Sequence, residues 1–327
     1  MLAIRCHSHG PPENLSLDDI ETPTPGGQEV LVEIHAASLN FPDGLQIRGQ
    51  YQFQPDMPFI PGSEAAGVVR AIGAEVEGFA PGDRVMAAQG IGAFAEFAAV
   101  PARSIRKIPD NMDFATAAAF PMVYTTSYYA LKQRGGLQAG ETLLVLGAGG
   151  GVGMAAVELG KIMGARVIAA AGSEEKLDFA SRVGADELID YSDGELKEKV
   201  KELTGGAGAD VIYDPVGGDL FDQCCRCINW NGRLLVIGFT SGRIPAYKAN
   251  LALLKGSSMV GVFLGRFRQT EPEAYEANFR ELLELYREGK IKPLVTQRFP
   301  LADYVAAFNV FTERRALGKV VLEMRRE

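Results

Sequence analysis

The chain has 327 residues, 47% hydrophobic and 23% charged, a balance that fits a globular protein of two domains and excludes a disordered chain. Its formal charge of −8, with no basic block beyond Arg325-Arg326, argues against nucleic acid as a partner, because gripping a phosphate backbone needs a clustered basic face. No apolar run reaches the roughly 18 residues of a membrane-spanning helix, and the start, Met1 to His7, lacks a signal-peptide core, so no membrane partner and a cytoplasmic location are expected.

The first third alternates short β runs with turn residues. Strands are predicted at Glu29 to His35, Ala66 to Ile72, Asp83 to Ala88 and Ala93 to Val100, interrupted at Pro61-Gly62, Pro81-Gly82 and Pro109-Asp110, a spacing that suggests a compact, barrel-like β domain. From Phe114 the pattern changes to helix formers, Ala115 to Phe120 and Thr126 to Leu131. Beyond Gly140 apolar strands alternate with helices: Thr142 to Leu146, Ala165 to Ala171, Glu187 to Asp190, Asp210 to Asp214, Arg233 to Ile237 and Ser258 to Val262. This is the rhythm of an α/β protein with a doubly wound parallel sheet. Pro272 to Glu288 reads as an amphipathic helix and Lys319 to Glu323 as a closing strand, and the tail is expected to rejoin the N-terminal domain. Cys224, Cys225 and Cys227 crowd into a helix between two strands and read, with Cys6, as small buried hydrophobes rather than a metal or redox set. His7, His9 and His35 lack ligand-like spacing, so no metal site is expected.

The most informative stretch is Thr142 to Leu159, an apolar strand, a glycine turn and a helix start in succession. That order fits a Rossmann unit, in which a dinucleotide pyrophosphate sits on the helix N-terminus. Gly150 lets the backbone approach the phosphates, Gly151 and Val152 offer free N–H groups, and Gly153 lets helix and strand pack closely. The frame with glycines at the second and third motif positions begins at Ala148, a departure from the usual first glycine. In an open sheet of this kind the ligand lies beyond the carboxyl ends of the strands, so the loops carrying Gly172, Tyr191, Val216, Gly238 and Phe239, and Phe263 should border it.

The second strand of the unit selects the cofactor. An NAD site usually ends that strand with an acid for the ribose 2′-hydroxyl, whereas here it ends in Gly172-Ser173, with Lys176 one turn on and Tyr191 after the third strand. These groups suit a 2′-phosphate and point to NADPH. Glu174 and Glu175 are the competing candidates for the acid, but Ser173 reads as an N-cap, and acids in the first turn then favour the helix dipole.

With those residues placed, the chain resembles the zinc-free quinone oxidoreductase branch of the medium-chain dehydrogenase/reductase superfamily over nearly its full length. The resemblance rests on Ala37 to Asp43, Arg48 to Tyr51, Pro58 to Gly67, Asp214 to Gly218, Asn231 to Phe239 and Gly318 to Leu322. It implies a GroES-like β-barrel catalytic domain, residues 1–122 and 264–327, around a Rossmann domain, residues 123–263, in a homodimer joined at the sheet edge near Val260. It also implies that Asn40 and Tyr51 donate hydrogen bonds near the nicotinamide and that Thr126 contacts the carboxamide. Where the zinc branch has a histidine before the glutamate of the Pro-Gly element, this chain has Ser63. The branch's cysteine ligand is missing too, with Asn40 in that neighbourhood, and Pro81 to Pro109 contains no cysteine for a structural zinc lobe. The implied activity is reduction of a quinone or conjugated enone, with an enoyl-thioester or alkenal double-bond reductase, or a non-catalytic NADPH-binding sensor, as alternatives. Arg266 and Arg268 would meet coenzyme A phosphates in the thioester case.

Overall fold

The computed structural model describes residues 1–324; Arg325-Arg326 lie outside the described residues. The chain packs into two units, one of residues 1–122 with 293–327 and one of residues 123–292.

The first unit begins with an antiparallel pair, β1 (Leu2–Cys6) and β2 (Leu15–Asp19). The long β3 (Glu29–Leu39) follows, then α1 (Phe41–Ile47), β4 (Glu64–Ile72), β5 (Arg84–Ala88), β6 (Phe97–Pro101), β7 (Ile105–Lys107) and α2 (Phe114–Ala119). β3 has partners on both sides, β4 and β6 on its first half and β4 again with the chain's last strand on its second. A strand of eleven residues can do this only if both its faces are covered, and Val30, Val32, Ile34, Ala36, Ala37 and Leu39 are all buried apolar side chains. The predicted strand Ala93 to Val100 is shorter than expected at its start: Phe94 turns into the core, edge-on to Phe308 at 5.9 Å, and regular pairing begins only at Phe97.

The second unit opens with α3 (Pro121–Tyr129), most of which belongs to it, and then alternates: β8 (Thr142–Leu146), α4 (Gly151–Ile162), β9 (Arg166–Ala171), α5 (Glu174–Val183), β10 (Glu187–Asp190), α6 (Leu196–Leu203), β11 (Ala209–Asp214), α7 (Gly218–Cys227) and β12 (Ile228–Val236). After α8 (Ala249–Lys255) come β13 (Ser258–Gly261), α9 (Leu264–Thr270) and α10 (Pro272–Arg287). The six strands are all parallel in the order β10-β9-β8-β11-β12-β13, so the strand order reverses between β8 and β11. Leu143 to Leu146 and Val167 to Ala171 are fully buried, as parallel strands covered by helices on both faces must be. This is the Rossmann sheet expected, with the reversal that creates a ligand crevice. All four cysteines are free thiols in the interior, and those of α7 pack in the apolar core under β11 and β12.

The second domain boundary falls at Lys292 and Pro293 rather than between 263 and 264, and α10 stays with the Rossmann unit instead of returning with the tail. Specific contacts hold it there. Phe267 of α9, itself packed edge-on against Tyr275 of α10, stacks on Tyr129 with ring centroids 3.9 Å apart, and Gln133 and Asn278 exchange amide hydrogen bonds at 2.8 and 3.1 Å. Lys132 and Tyr128 both donate to Glu281. The first unit then closes with β14 (Val295–Pro300), α11 (Tyr304–Thr312) and β15 (Lys319–Glu323), giving the sheet order β14-β15-β3-β4-β5-β7. No helix of the described residues is long and apolar enough to cross a membrane.

Candidate functional site

In the second unit the glycine turn has the shape its sequence requires. A Cβ on Gly153 would collide with the Gly147 carbonyl and lie 2.8 Å from Ala148 Cα, so the third motif glycine sets how closely α4 crosses β8. Gly150 caps α4, and the nearest atom to a Cβ there is 3.5 Å away, so its missing side chain serves something other than the chain's own packing. Ala148 points its methyl into the interior, fully buried, which is why the first motif position tolerates alanine. The start of α4 is tied down by Ser127, whose hydroxyl donates to the Val152 carbonyl at 3.0 Å and lies 2.8 Å from the buried Tyr213 hydroxyl. The neighbouring Thr126 is on the same short helix, partly exposed.

The loops after β8, β9 and β10 converge. The Lys176 stem lies across Gly149, where a Cβ would sit 2.8 Å from it, and the Tyr191 ring lies against Gly172 at 3.1 Å from the same kind of position. Ser173 takes the N-cap position of α5, but its hydroxyl makes no capping bond. Glu174 and Glu175 fall in the exposed first turn of α5. On the other side of the strand-order reversal, Val216 packs 3.3 Å from where a Gly147 Cβ would be, and Phe239 3.0 Å from that of Gly217. Asp214 fixes this loop: it is buried and accepts the N–H groups of Val216 and Gly217, both at 2.8 Å. Burial pushes its pKa up, and those two donors pull it back. Gly238 follows β12, and a Cβ there would lie 3.4 Å from the Pro215 carbonyl oxygen. Phe263 is the half-exposed N-cap residue of α9.

The first unit holds a buried polar cluster of which the sequence reading singled out only Asn40. The side chains of Lys319, Glu64 and Asn40 meet: Lys319 Nζ donates to Asn40 Oδ1 at 2.7 Å, to Glu64 Oε1 at 3.0 Å and to the Leu39 carbonyl at 3.2 Å. Asn40 Nδ2 donates to the same Glu64 oxygen at 2.8 Å, and the other Glu64 oxygen accepts the Met122 N–H at 2.7 Å. The remaining contacts of Nδ2, the Ser38 carbonyl at 3.4 Å and Ser63 Oγ at 3.5 Å, are long, so the second Asn40 N–H is held weakly. Glu64 and Lys319 form a buried ion pair, and removing either partner would cost about 3–5 kcal/mol. Asp43, on α1, accepts the Asn40 backbone N–H at 2.7 Å through Oδ2. Tyr51 follows in the loop after α1, partly buried, and burial together with the nearby Asp43 charge raises its pKa. Lys319, Glu64 and Asp43 each interrupt a run of small or apolar residues, the one signal in the sequence that could have found them, because a charge placed there must be paired or neutralised.

Two family models match the chain, an alcohol dehydrogenase GroES-like domain over residues 26–110 and a zinc-binding dehydrogenase over residues 151–284. Among curated relatives, a quinone oxidoreductase-like protein 2 homolog of Nematostella vectensis is 39% identical over 98% of this chain and 88% of its own length. Among solved structures, Escherichia coli quinone oxidoreductase complexed with NADPH superposes with a TM-score of 0.93 at 30% identity, covering 99% of this chain and 100% of the other. The CurK enoyl reductase does so with a TM-score of 0.90 at 26% identity, covering 99% of each chain. The zinc in the second model's name can be tested against the donors present. The oxygens around the buried ammonium are an amide, a carboxylate and a backbone carbonyl, with no thiolate or imidazole, and no group of three or more His, Cys, Asp or Glu among the described residues could hold a metal. That set suits an ammonium and does not fit zinc. With both domain types in order and relatives of this identity over its whole length, the chain belongs to the zinc-free quinone oxidoreductase branch of the medium-chain dehydrogenase/reductase superfamily.

Proposed function

We propose that the protein is an NADPH-dependent oxidoreductase that reduces a quinone or similarly conjugated carbonyl by hydride transfer, without a metal. The observation that carries this reading is the placement of Lys176 across Gly149 with Tyr191 against Gly172, a cationic and hydroxyl-bearing pair at the end of β9 where an NAD site would keep an acid. NADPH is also the ligand in the Escherichia coli structure. Bound NADPH supplies the hydride. The chain's own residues do the rest: the N–H groups of Gly151 and Val152 at the start of α4 hold the pyrophosphate, and Lys176, Ser173 and Tyr191 hold the 2′-phosphate. Val216, Gly238, Phe239, Phe263 and Thr126 line the path toward the nicotinamide. In the first unit, the weakly held second N–H of Asn40 and the hydroxyl of Tyr51 meet the negative charge that arrives on the acceptor oxygen. Such modest help suits an acceptor that spreads its charge over several atoms, whereas a simple alcohol wants a metal-bound alkoxide or a dedicated base. The functional domains follow the two packed units.

A second reading keeps the fold and cofactor and changes the acceptor to an enoyl thioester. The likeness to the CurK enoyl reductase favours it, as do Arg266 and Arg268 on α9, which would face coenzyme A phosphates. Following NADPH absorbance with a panel of quinones, enones and enoyl-CoA esters decides between the two. Quinones are expected to turn over fastest. Turnover confined to enoyl-CoA, and lost in Arg266→Ala, would move the assignment to the thioester.

The family's homodimer fits this chain as well. β13 is an edge of the parallel sheet, and Trp230, Leu253, Leu254 and Met259 are exposed around it.

A further inference from the structure

The buried cluster of the first unit has an odd charge. Lys319 and Glu64 neutralise each other, which leaves Asp43 as a second carboxyl in the same interior with no cation of its own. Its side chain is fully buried. Oδ2 takes the Asn40 N–H, Oδ1 has no hydrogen-bond partner, and the Ser63 hydroxyl lies beside the carboxyl. The Gln46 amide oxygen, one helical turn further along α1 and also buried, is a second acceptor without a donor. An ionised carboxylate would gain little from such surroundings, whereas the acid form keeps the Asn40 bond and adds an O–H for one of the idle acceptors.

We propose that Asp43 is the proton store of this site, delivering its proton through the Ser63 hydroxyl to the oxygen of the reduced acceptor. The inference rests on the reductase reading above. Hydride arriving on a quinone leaves a two-electron-reduced acceptor with negative charge on oxygen. A new O–H bond forms there with the proton of Ser63 Oγ, the O–H bond of the Asp43 acid breaks to restore the serine, and the carboxylate then takes a proton from solvent. Electrons come only from the nicotinamide, and the protein ends the cycle unchanged. The charged and titratable groups that face Asp43 are Glu64 on β4, Lys319 on β15 and Tyr51 in the loop after α1. Burial, first, and the Glu64 charge push its pKa up to about 7 against the pull of Asn40, Ser63 and Lys319. The store is therefore full below neutrality and empties as pH rises.

Two measurements on the full-length protein test this. Infrared spectroscopy between pH 5 and 9 should show the carbonyl stretch of a buried carboxylic acid that fades near neutrality and is missing in Asp43→Asn, a variant that preserves the acceptor for the Asn40 N–H. Steady-state reduction of a quinone at saturating NADPH should show kcat falling as pH rises through the same range. Asp43→Asn should lower kcat by about 100-fold or more and flatten that profile, as removal of a general acid does. Ser63→Ala should lower kcat similarly while keeping the infrared band. Asp43→Asn with unchanged kcat and pH profile overturns the proposal, as does the absence of the band at pH 5–7. If no acceptor is reduced at all, the reductase reading falls and delivery falls with it, and the band then reports separately whether Asp43 holds a proton.

Discussion

An ammonium in an apolar strand must be met by oxygens or displaced, and Lys319 is met by three, so its charge fixes the amide orientation of Asn40, oxygen toward the ammonium and nitrogen toward Glu64. Lys176 lies at the other end of the molecule's chemistry, its stem packed on Gly149, where the proposed 2′-phosphate would meet its ammonium. Lys176→Ala should weaken NADPH binding about 10- to 100-fold, the loss of one charge-assisted hydrogen bond of about 1.5–3 kcal/mol, and leave NADH binding unchanged. Fluorescence titration with both cofactors measures this, and equal weakening of the two would remove the 2′-phosphate role. At this scale the sequence singled out Lys176 and Tyr191 as candidate cofactor groups, because they follow strands whose ends border a ligand in any Rossmann sheet. It hid the Asp43, Glu64 and Lys319 cluster, since those residues lie on α1, β4 and β15 and only the pairing of β15 with β3 and of β3 with β4 brings them to one point.

The strand-to-helix junction shows two glycines with different duties. Gly153→Ala forces a methyl into the Gly147 carbonyl, so β8 and α4 must part, at a cost of about 1–3 kcal/mol. Gly150→Ala meets nothing of the chain within 3.4 Å and its backbone, with φ −88°, accepts alanine, so the fold should be untouched while the phosphates lose their close approach. Thermal melts and NADPH titrations of both variants should separate these duties: a lower Tm for Gly153→Ala, an unchanged Tm with weakened binding for Gly150→Ala. A fall in Tm for Gly150→Ala, or full binding by it, would contradict this assignment. The same junction explains how much of the fold was legible. Its strands are continuous apolar runs and announce themselves, as β8 and β9 do, whereas β14 alternates exposed and half-buried residues and was not anticipated. The boundary at Lys292 was missed for a related reason. The amphipathic pattern of α10 shows that it must pack on something but not on what, and the choice is made by Tyr128 and Gln133, more than 130 residues earlier.

For the whole molecule, the Rossmann sheet ends at β13 with one side of its backbone unpaired, a template for another strand. Around that edge stand Leu253, 81% exposed, Leu254, 69%, Trp230, 66%, and Met259, 48%, more apolar surface in one place than an isolated soluble chain usually leaves in water. A second copy related by a two-fold axis would pair β13 with its counterpart and cover these side chains, continuing the sheet from one protomer into its partner. Light scattering should therefore give twice the chain mass for the native protein. Leu253→Asp with Leu254→Asp should give the single-chain mass, because two buried, unpaired carboxylates would be required at such an interface while neither position supports the protomer's own core. Those substitutions should leave NADPH affinity intact, since α8 carries none of the phosphate-holding residues. A native protein that runs as a single chain, or a doubly substituted protein that remains paired, would place any dimer on some other face and leave this apolar edge to be covered differently.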